Sequence, residues 1–305
     1  MKKLFLLSIT LIIIGVLFFY QQDLQKAYYS ILRSFRDDTS TLENKNEYYR
    51  DYDFNFVQTT EDFSPDSRQD ILNIFYTAIN SGIKDFTFYC PDTYTECLNE
   101  VENLANNQEM LSDINNFVHP YNGFYHIETQ YDSLGKVEIH IQKSYSDEQI
   151  MEINNKVEEL SAQLIIPGDT DTNNILRIHD YIINHSIYDS ARSDYGDTTY
   201  QSDIAYGPLL QGYGICGGYT DAMQLFLEKL GIKNYKVSSD EHVWNAVFVN
   251  NQWLHLDLTW DDPVTPTKEN ILDHNFFLIN TNNLIATEQT EHQFNTDVYS
   301  ELKEA

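Results

Sequence analysis

Three side chains in the C-terminal half of the chain have the types needed for nucleophilic chemistry: Cys216, His242 and Asp257. Cys216 lies in GYGICGGYTDAMQLFLEKLGI, where Tyr219, Ala222, Met223, Phe226, Leu227 and Leu230 recur at helical spacing and Gly231 supplies a stop. The cysteine therefore falls in the first turn of an amphipathic helix. Unpaired amides and the positive end of the helix dipole there favour a thiolate, the nucleophilic form of the side chain. Gly214, Gly217 and Gly218 are expected to leave room for a substrate backbone. Taken alone, the cysteine is also readable as a small buried residue at a tight helix entry.

The run HVWNAVFVNNQWLHLDLTWDDP reads as two strands joined by a turn at Asn250 and Asn251. A symmetric turn pairs Val249 with Gln252, sets Trp244 opposite Asp257 and His242 opposite Thr259, and makes His242 and Asp257 diagonal neighbours on one face. Backbones in that relation lie about 7–8 Å apart, a gap that an imidazole and a carboxylate close with a hydrogen bond. The bond would hold the ring in the tautomer that takes a proton from a thiol. His255 projects to the same face as Asp257 and is the main rival to His242. Gln211 reads as a turn residue rather than an oxyanion donor. Trp244, Trp253 and Trp260 are expected to pack the sheet and the cleft wall.

Cysteine at a helix start, then histidine and aspartate on adjacent strands, resembles the transglutaminase-like branch of the papain-like thiol enzymes. The resemblance covers roughly Ile175 to Pro263 and is densest in AYGPLLQGYGICGGYTDAM and HVWNAVFVNNQWLHLDLTWDDP. Exported bacterial proteins of this family are similar further in Tyr188 and Asp189 and in FVHPYNGFYHIE. The resemblance implies that Cys216 is the nucleophile, His242 the general base and Asp257 the residue orienting His242. His242 is favoured over His255 because the V-W-N that follows it matches the family. The implied reaction is attack on an amide carbonyl, loss of ammonia or an amine, and transfer of the acyl thioester to an amine or water. The backbone amide of Cys216 would supply half of the oxyanion hole. Gly217 stands where many relatives carry a glutamine or another polar residue, which bears on substrate preference. A protein or peptide substrate, such as a cell-envelope peptide, is implied, without a cofactor. A reading from another class stays open: a non-catalytic cell-surface module that holds peptide or glycan in the same cleft.

The elements that must position these residues form an α+β chain. Residues 167–305 are expected to build a papain-like transglutaminase core with the cysteine-bearing helix on an antiparallel sheet. A smaller α+β domain at 66–166 precedes it, behind a spacer at 23–65 and an N-terminal transmembrane helix at 1–22. In the smaller domain, Ile71, Ile74, Phe75, Ala78 and Ile79 mark a helix stopped by Gly82. FTFY marks a strand, Tyr94 to Asn106 a helix, and FYHIETQY with KVEIHIQK a hairpin turning at SLG. A further helix runs from Asp147 to about Leu164. GDTDTNN fails as a calcium loop, because Asn174 and Asp180 stand where glycine and glutamate are needed. It caps a helix that turns Ile175, Ile178, His179 and Ile182 toward the core.

Composition narrows the rest. With 47 acidic against 19 basic residues and a formal charge of -28, phosphate backbones and acidic lipid surfaces would repel the chain, which excludes nucleic-acid binding. Aromatic residues at 14% supply ample core material. Lys2 and Lys3 precede an uncharged run from Leu4 to Tyr20 that would span about 26 Å as a helix. Phe18, Phe19 and Tyr20 follow where a cleavage site would need small residues, so an uncleaved anchor with the domains outside the cytoplasm is expected. Secretion after cleavage is the alternative. Cys90 and Cys97 could close a short disulfide loop in such a compartment, leaving Cys216 free. Ligand spacing for a metal is not evident, and none is expected.

Overall fold

The computed structural model describes residues 45–264, 271–287 and 290–303, with residues 20, 21, 28, 31 and 40–42 ahead of them. The apolar run from Leu4 to Phe19 lies outside the described residues, among which no helix is long and apolar enough to cross a membrane.

Helix α1 (Arg68–Asn80) starts where Ser67 accepts the Asp70 N–H, and the chain leaves it through Gly82 at φ +71°. Strand β1 (Asp85–Tyr89) follows, then α2 (Cys97–Ala105) and α3 (Gln108–Asn116). Cys97, the first residue of α2, is disulfide-bonded to Cys90. Strands β2 (Phe124–Tyr131) and β3 (Lys136–Lys143) form the expected hairpin, and the antiparallel order is β1-β3-β2. Helix α4 (Asp147–Leu164) opens with a reciprocal cap between Ser146 and Gln149. Helix α5 (Asp171–His185) is capped by Thr170, while Asp169 pairs with Arg177 at 2.9 Å, so GDTDTNN caps a helix as its residues suggest.

Strand β4 (Ile187–Tyr188), helix α6 (Ser190–Tyr195) and strand β5 (Tyr213–Gly214) lead to α7 (Cys216–Lys229). A second antiparallel sheet, β6 (Asn234–Ser238), β7 (Val243–Val249) and β8 (Gln252–Leu256), packs against α7. Asn250 and Asn251 take φ 54° and 61°, the left-handed pair that a two-residue hairpin needs and asparagine tolerates. Val249 therefore pairs with Gln252, and the ladder ends at Asn245 and Leu256, one step short of Trp244 and Asp257. Helix α8 (Thr281–Thr287) lies against β8.

The result is a mixed α/β fold in which alternation along β7 divides two cores. Trp244 and Ala246 turn toward α1 and the first sheet, whereas Val247 and Val249 turn toward α4, α5 and α7. The sheet that carries the candidate histidine is thus covered on both faces, which makes its register costly to change.

The expected spacer is packed from residue 45 onward. Phe54, Val57 and Phe63 enter the first core. Arg50, 3% exposed, donates from Nη1 to the Phe117 carbonyl at 2.8 Å and from Nη2 to Glu228 and Asn234. The segment shows no hydrophobic period because it crosses the core as irregular chain, with each aromatic filling its own recess.

One covalent consequence is testable. In denaturant without reductant one thiol per chain should titrate, and after reduction three. Replacing Cys90 and Cys97 by serine should cost about 2 kcal/mol of stability, the loop-closure value for so short a ring. Three titrating thiols in the unreduced protein would rule the bridge out.

Candidate active site

Cys216 is the first residue of α7, and no side chain caps this end, so the opening amides of the helix remain available to an anion. The free thiol is half-buried and lines a cavity of about 540 Å³ together with Tyr188, Asp203, His242, Thr259 and Trp260. His242 stands just before β7, in a tight turn where the Ser239 N–H donates to its carbonyl at 2.9 Å. Asp257 follows β8 and is 1% exposed.

His242 Nε2 and Asp257 Oδ2 are 2.5 Å apart. A carboxylate can only accept, so Nε2 carries the hydrogen and Nδ1 is left for a partner in the cavity that His242 shares with Cys216. Cross-links hold the three parents together. Thr220 Oγ1 donates to the Val243 carbonyl at 3.0 Å, and Asn245 Nδ2 donates to the Thr220 carbonyl at 3.1 Å, tying α7 to β7. Tyr219 donates to Asp262 Oδ2 at 2.6 Å, tying α7 to the turn after Asp257.

Burial opposes charge on His242, but the Asp257 carboxylate, through charge and hydrogen bond, and Cys216 outweigh it and push the ring's pKa up to about 10. Burial also opposes the Asp257 charge, and His242 and His292 together overcome it, holding the carboxyl well below its ordinary range. The arrangement is that of an imidazolium held by a buried carboxylate, on the same cavity wall as a cysteine at a helix start.

Residues 158–258 match the sequence model of the transglutaminase-like superfamily, a span that contains Cys216, His242 and Asp257. Residues 158–258 thus form a transglutaminase-like domain. Among solved structures it is similar to a TGase, at 14% identity and a TM-score of 0.32 over 45% of this chain and 44% of that one. It is also similar to a proposed cysteine protease from Cytophaga hutchinsonii, at 13% identity and a TM-score of 0.29 over 48% of this chain and 65% of that one. The chain thus spans less than two thirds of either. No curated protein matches it.

Within the transglutaminase-like domain several expectations change. The glycines around Cys216 admit the protein's own backbone, not a substrate's. A Cβ on Gly217 would stand 2.7 Å from the Asp203 carbonyl and one on Gly218 2.2 Å from that of Ser202, while Gly214 makes room for the Tyr219 ring. Gln211, the last residue of the short helix Gly207–Gln211 rather than a turn residue, accepts the Gln201 N–H on Oε1 at 2.8 Å. His255 is fully buried: Trp244 Nε1 donates to its Nδ1 at 2.9 Å, and its Nε2 donates to Thr281 Oγ1 at 3.0 Å. Burial and the neighbouring His292 lower its pKa to about 3 despite the attraction of Asp257.

His292 was not singled out by the sequence, yet its Nε2 donates to Asp257 Oδ2 at 2.9 Å. It stacks on Phe276 and meets the edges of Trp244 and Trp260. Nothing local marks it, since 35 positions separate it from Asp257 and, among the described residues between them, only the short helix α8 is regular.

These pKa displacements fix a sign. With a folded value of about 10 against an ordinary 6.5, charged His242 stabilises the fold fully below pH 6.5, and that contribution is lost as pH rises toward 10. Imidazole NMR should therefore show His242 protonated through neutral pH in the wild type. In Asp257→Asn its midpoint should fall well below the wild-type value, because burial is then opposed by Cys216 alone. His292→Phe should leave the midpoint raised while lowering stability by about 1–3 kcal/mol, the cost of a lost donor to a buried acceptor. A wild-type midpoint near 6.5 would contradict the pairing.

Proposed function

We propose that this chain is a thiol enzyme acting outside the cytoplasm on peptide or amide groups through an acyl thioester on Cys216. The observation that carries the reading is Cys216 and His242 on the wall of one open cavity, with the Asp257 carboxylate 2.5 Å from the ring. The Cys216 thiolate attacks the amide carbonyl, and the new oxyanion falls to the Cys216 backbone N–H. His242 Nδ1 then gives its proton to the departing nitrogen, and ammonia or an amine leaves. The neutral ring next takes a proton from water or an incoming amine as it attacks the thioester. An acid or a new amide is released, and the thiolate returns. Asp257 keeps Nε2 occupied and stabilises the imidazolium each time it forms.

The rim supports a cationic or neutral partner over an anionic one. Asp203, Glu241 and Glu291 line it, and Arg192 is paired with Asp203 at 2.8 Å. The disulfide between Cys90 and Cys97 supports an oxidising compartment. The lysines and the apolar run at the N-terminus support a membrane anchor that leaves the domains outside.

Incubating the full chain with cell-envelope peptides should yield mass changes of deamidation, cleavage or cross-linking, and Cys216→Ala should retain less than about a tenth of the rate. Asp257→Asn should slow the chemical step about a hundredfold or more with less effect on substrate affinity. Absence of any mass change, together with a Cys216 inert to iodoacetamide at neutral pH, would give the cleft to a binding role instead. Fractionation should find the protein in membranes, and a secreted form beginning near about residue 25–30 would replace the anchor by a cleaved signal.

A further inference from the structure

Behind the turn that carries Asp257, away from the cleft, lies a second group of ionisable side chains that the proposed reaction does not use. His179 sits in α5 with its ring fully buried. Its Nε2 is 3.2 Å from Asp261 Oδ2, on an equally buried side chain, and its Nδ1 is 3.0 Å from Asp180 Oδ1. The same Asp180 oxygen is 2.8 Å from His274 Nε2, on the loop before α8. Donor atoms of His179, Asp180 and His274 all lie within 4.8 Å of one another.

A neutral imidazole has one N–H, yet both nitrogens of His179 face carboxylate oxygens. With the hydrogen on Nε2 for Asp261, the Nδ1 lone pair points at the lone pairs of Asp180. A second proton on the buried ring, or a cation at Nδ1, removes that repulsion. Two imidazole nitrogens and one carboxylate oxygen are the donors that zinc and its neighbours prefer. Asp261 meanwhile does what a carboxylate does behind a metal-bound histidine: it fixes the tautomer and aims the free nitrogen. A tetrahedral ion with bonds of about 2.0–2.1 Å spaces its donors about 3.3 Å apart, so the present contacts need to open by only about 0.3–0.5 Å. His274 is 44% exposed and Asp180 33%, which gives the ion a way in and a place for water.

We infer that His179 Nδ1, Asp180 and His274 Nε2 form a site for a divalent transition-metal ion of the zinc class, with Asp261 holding the other nitrogen of His179. The ion displaces the proton between His179 and Asp180 into solvent, and the hydrogen that His274 Nε2 gives to Asp180 moves to Nδ1, which frees Nε2 for the ion. It joins α5 to the loop 271–277 and braces the turn that carries Asp257. Asp261 Oδ1 accepts the Phe276 N–H at 2.9 Å, and the Phe276 carbonyl accepts the Asp257 N–H at 3.1 Å. The site is structural and stands apart from the thiol chemistry proposed above.

The full chain, stripped with a chelator, should bind one equivalent of Zn²⁺ in calorimetric titration and show the visible bands of four-coordinate Co²⁺ with that probe. His274→Ala and Asp180→Asn, both at partly exposed positions, should each weaken binding about tenfold or more. They should also abolish the rise in melting temperature that the metal gives the wild type. Cys216→Ala should bind as the wild type does. Failure of the wild type to bind at millimolar metal would overturn the inference and leave a hydrogen-bonded chain in its place. Undiminished binding in both His274→Ala and Asp180→Asn would equally overturn it, as would loss of binding in Cys216→Ala, which would put the ion on the thiol.

Discussion

A carboxylate taken out of water costs several kcal/mol unless its oxygens are met by donors, and Asp257 is almost wholly out of water. The donors come from separate parts of the chain. Its own turn supplies the N–H groups of Thr259 and Trp260 to Oδ1, at 2.9 and 3.3 Å. The residue before β7 supplies His242 to Oδ2, and the segment after α8 supplies His292 to the same oxygen. These contacts keep the carboxylate ionised where burial alone would neutralise it. The ionised carboxylate in turn holds a proton on His242, on the wall of the cavity that Cys216 also lines.

Such a chain of charges tolerates little displacement, and the surrounding packing removes the freedom to move. Both faces of β7 are buried, so a slip by one residue would drive Trp244 into the core that now holds Val247 and Val249. Helix α7 is fastened to β7 through Thr220 and Asn245, and to the turn after β8 through Tyr219 and Asp262. Its first turn rests directly on the backbone of residues 202–204, an approach that any side chain at Gly218 would block. The cysteine is positioned by close backbone contact, and this gives the short glycine run its physical reason.

The parts of this design legible in the sequence are those that local periodicity dictates. A period of two along residues 242–257, with an asparagine pair that accepts positive φ, suffices to place His242 beside Asp257, and the register agrees. The cysteine at a helix start follows likewise from the spacing of the apolar residues after it. His292 and the grouping of Asp180 with His274 do not follow, because chains of 35 and 94 positions, partly without regular structure, bring them together. Helix α3 escaped for a different reason: its apolar positions are few, and the Asn107 cap that starts it looks like one more polar residue in a polar stretch. The packing of residues 45–63 has no period to read at all.

The rivalry between His242 and His255 shows why residue type and facing direction alone could not settle the site. Both rings are buried and both lie near Asp257. His242 touches the carboxylate and opens on the cavity, so burial is overruled and the ring stays charged. His255 receives the Trp244 N–H on one nitrogen and spends its own hydrogen on Thr281, whose hydroxyl continues to the Leu302 carbonyl. With no carboxylate in contact, burial prevails and its pKa falls to about 3. To serve as the base, His255 would have to break both bonds and then carry a charge that its surroundings reject. At neutral pH it would remain unprotonated and could not steady a thiolate. The same imidazole is thus a charge carrier at one position and a neutral strut on the adjacent strand, and the difference rests on which neighbour reaches its nitrogens.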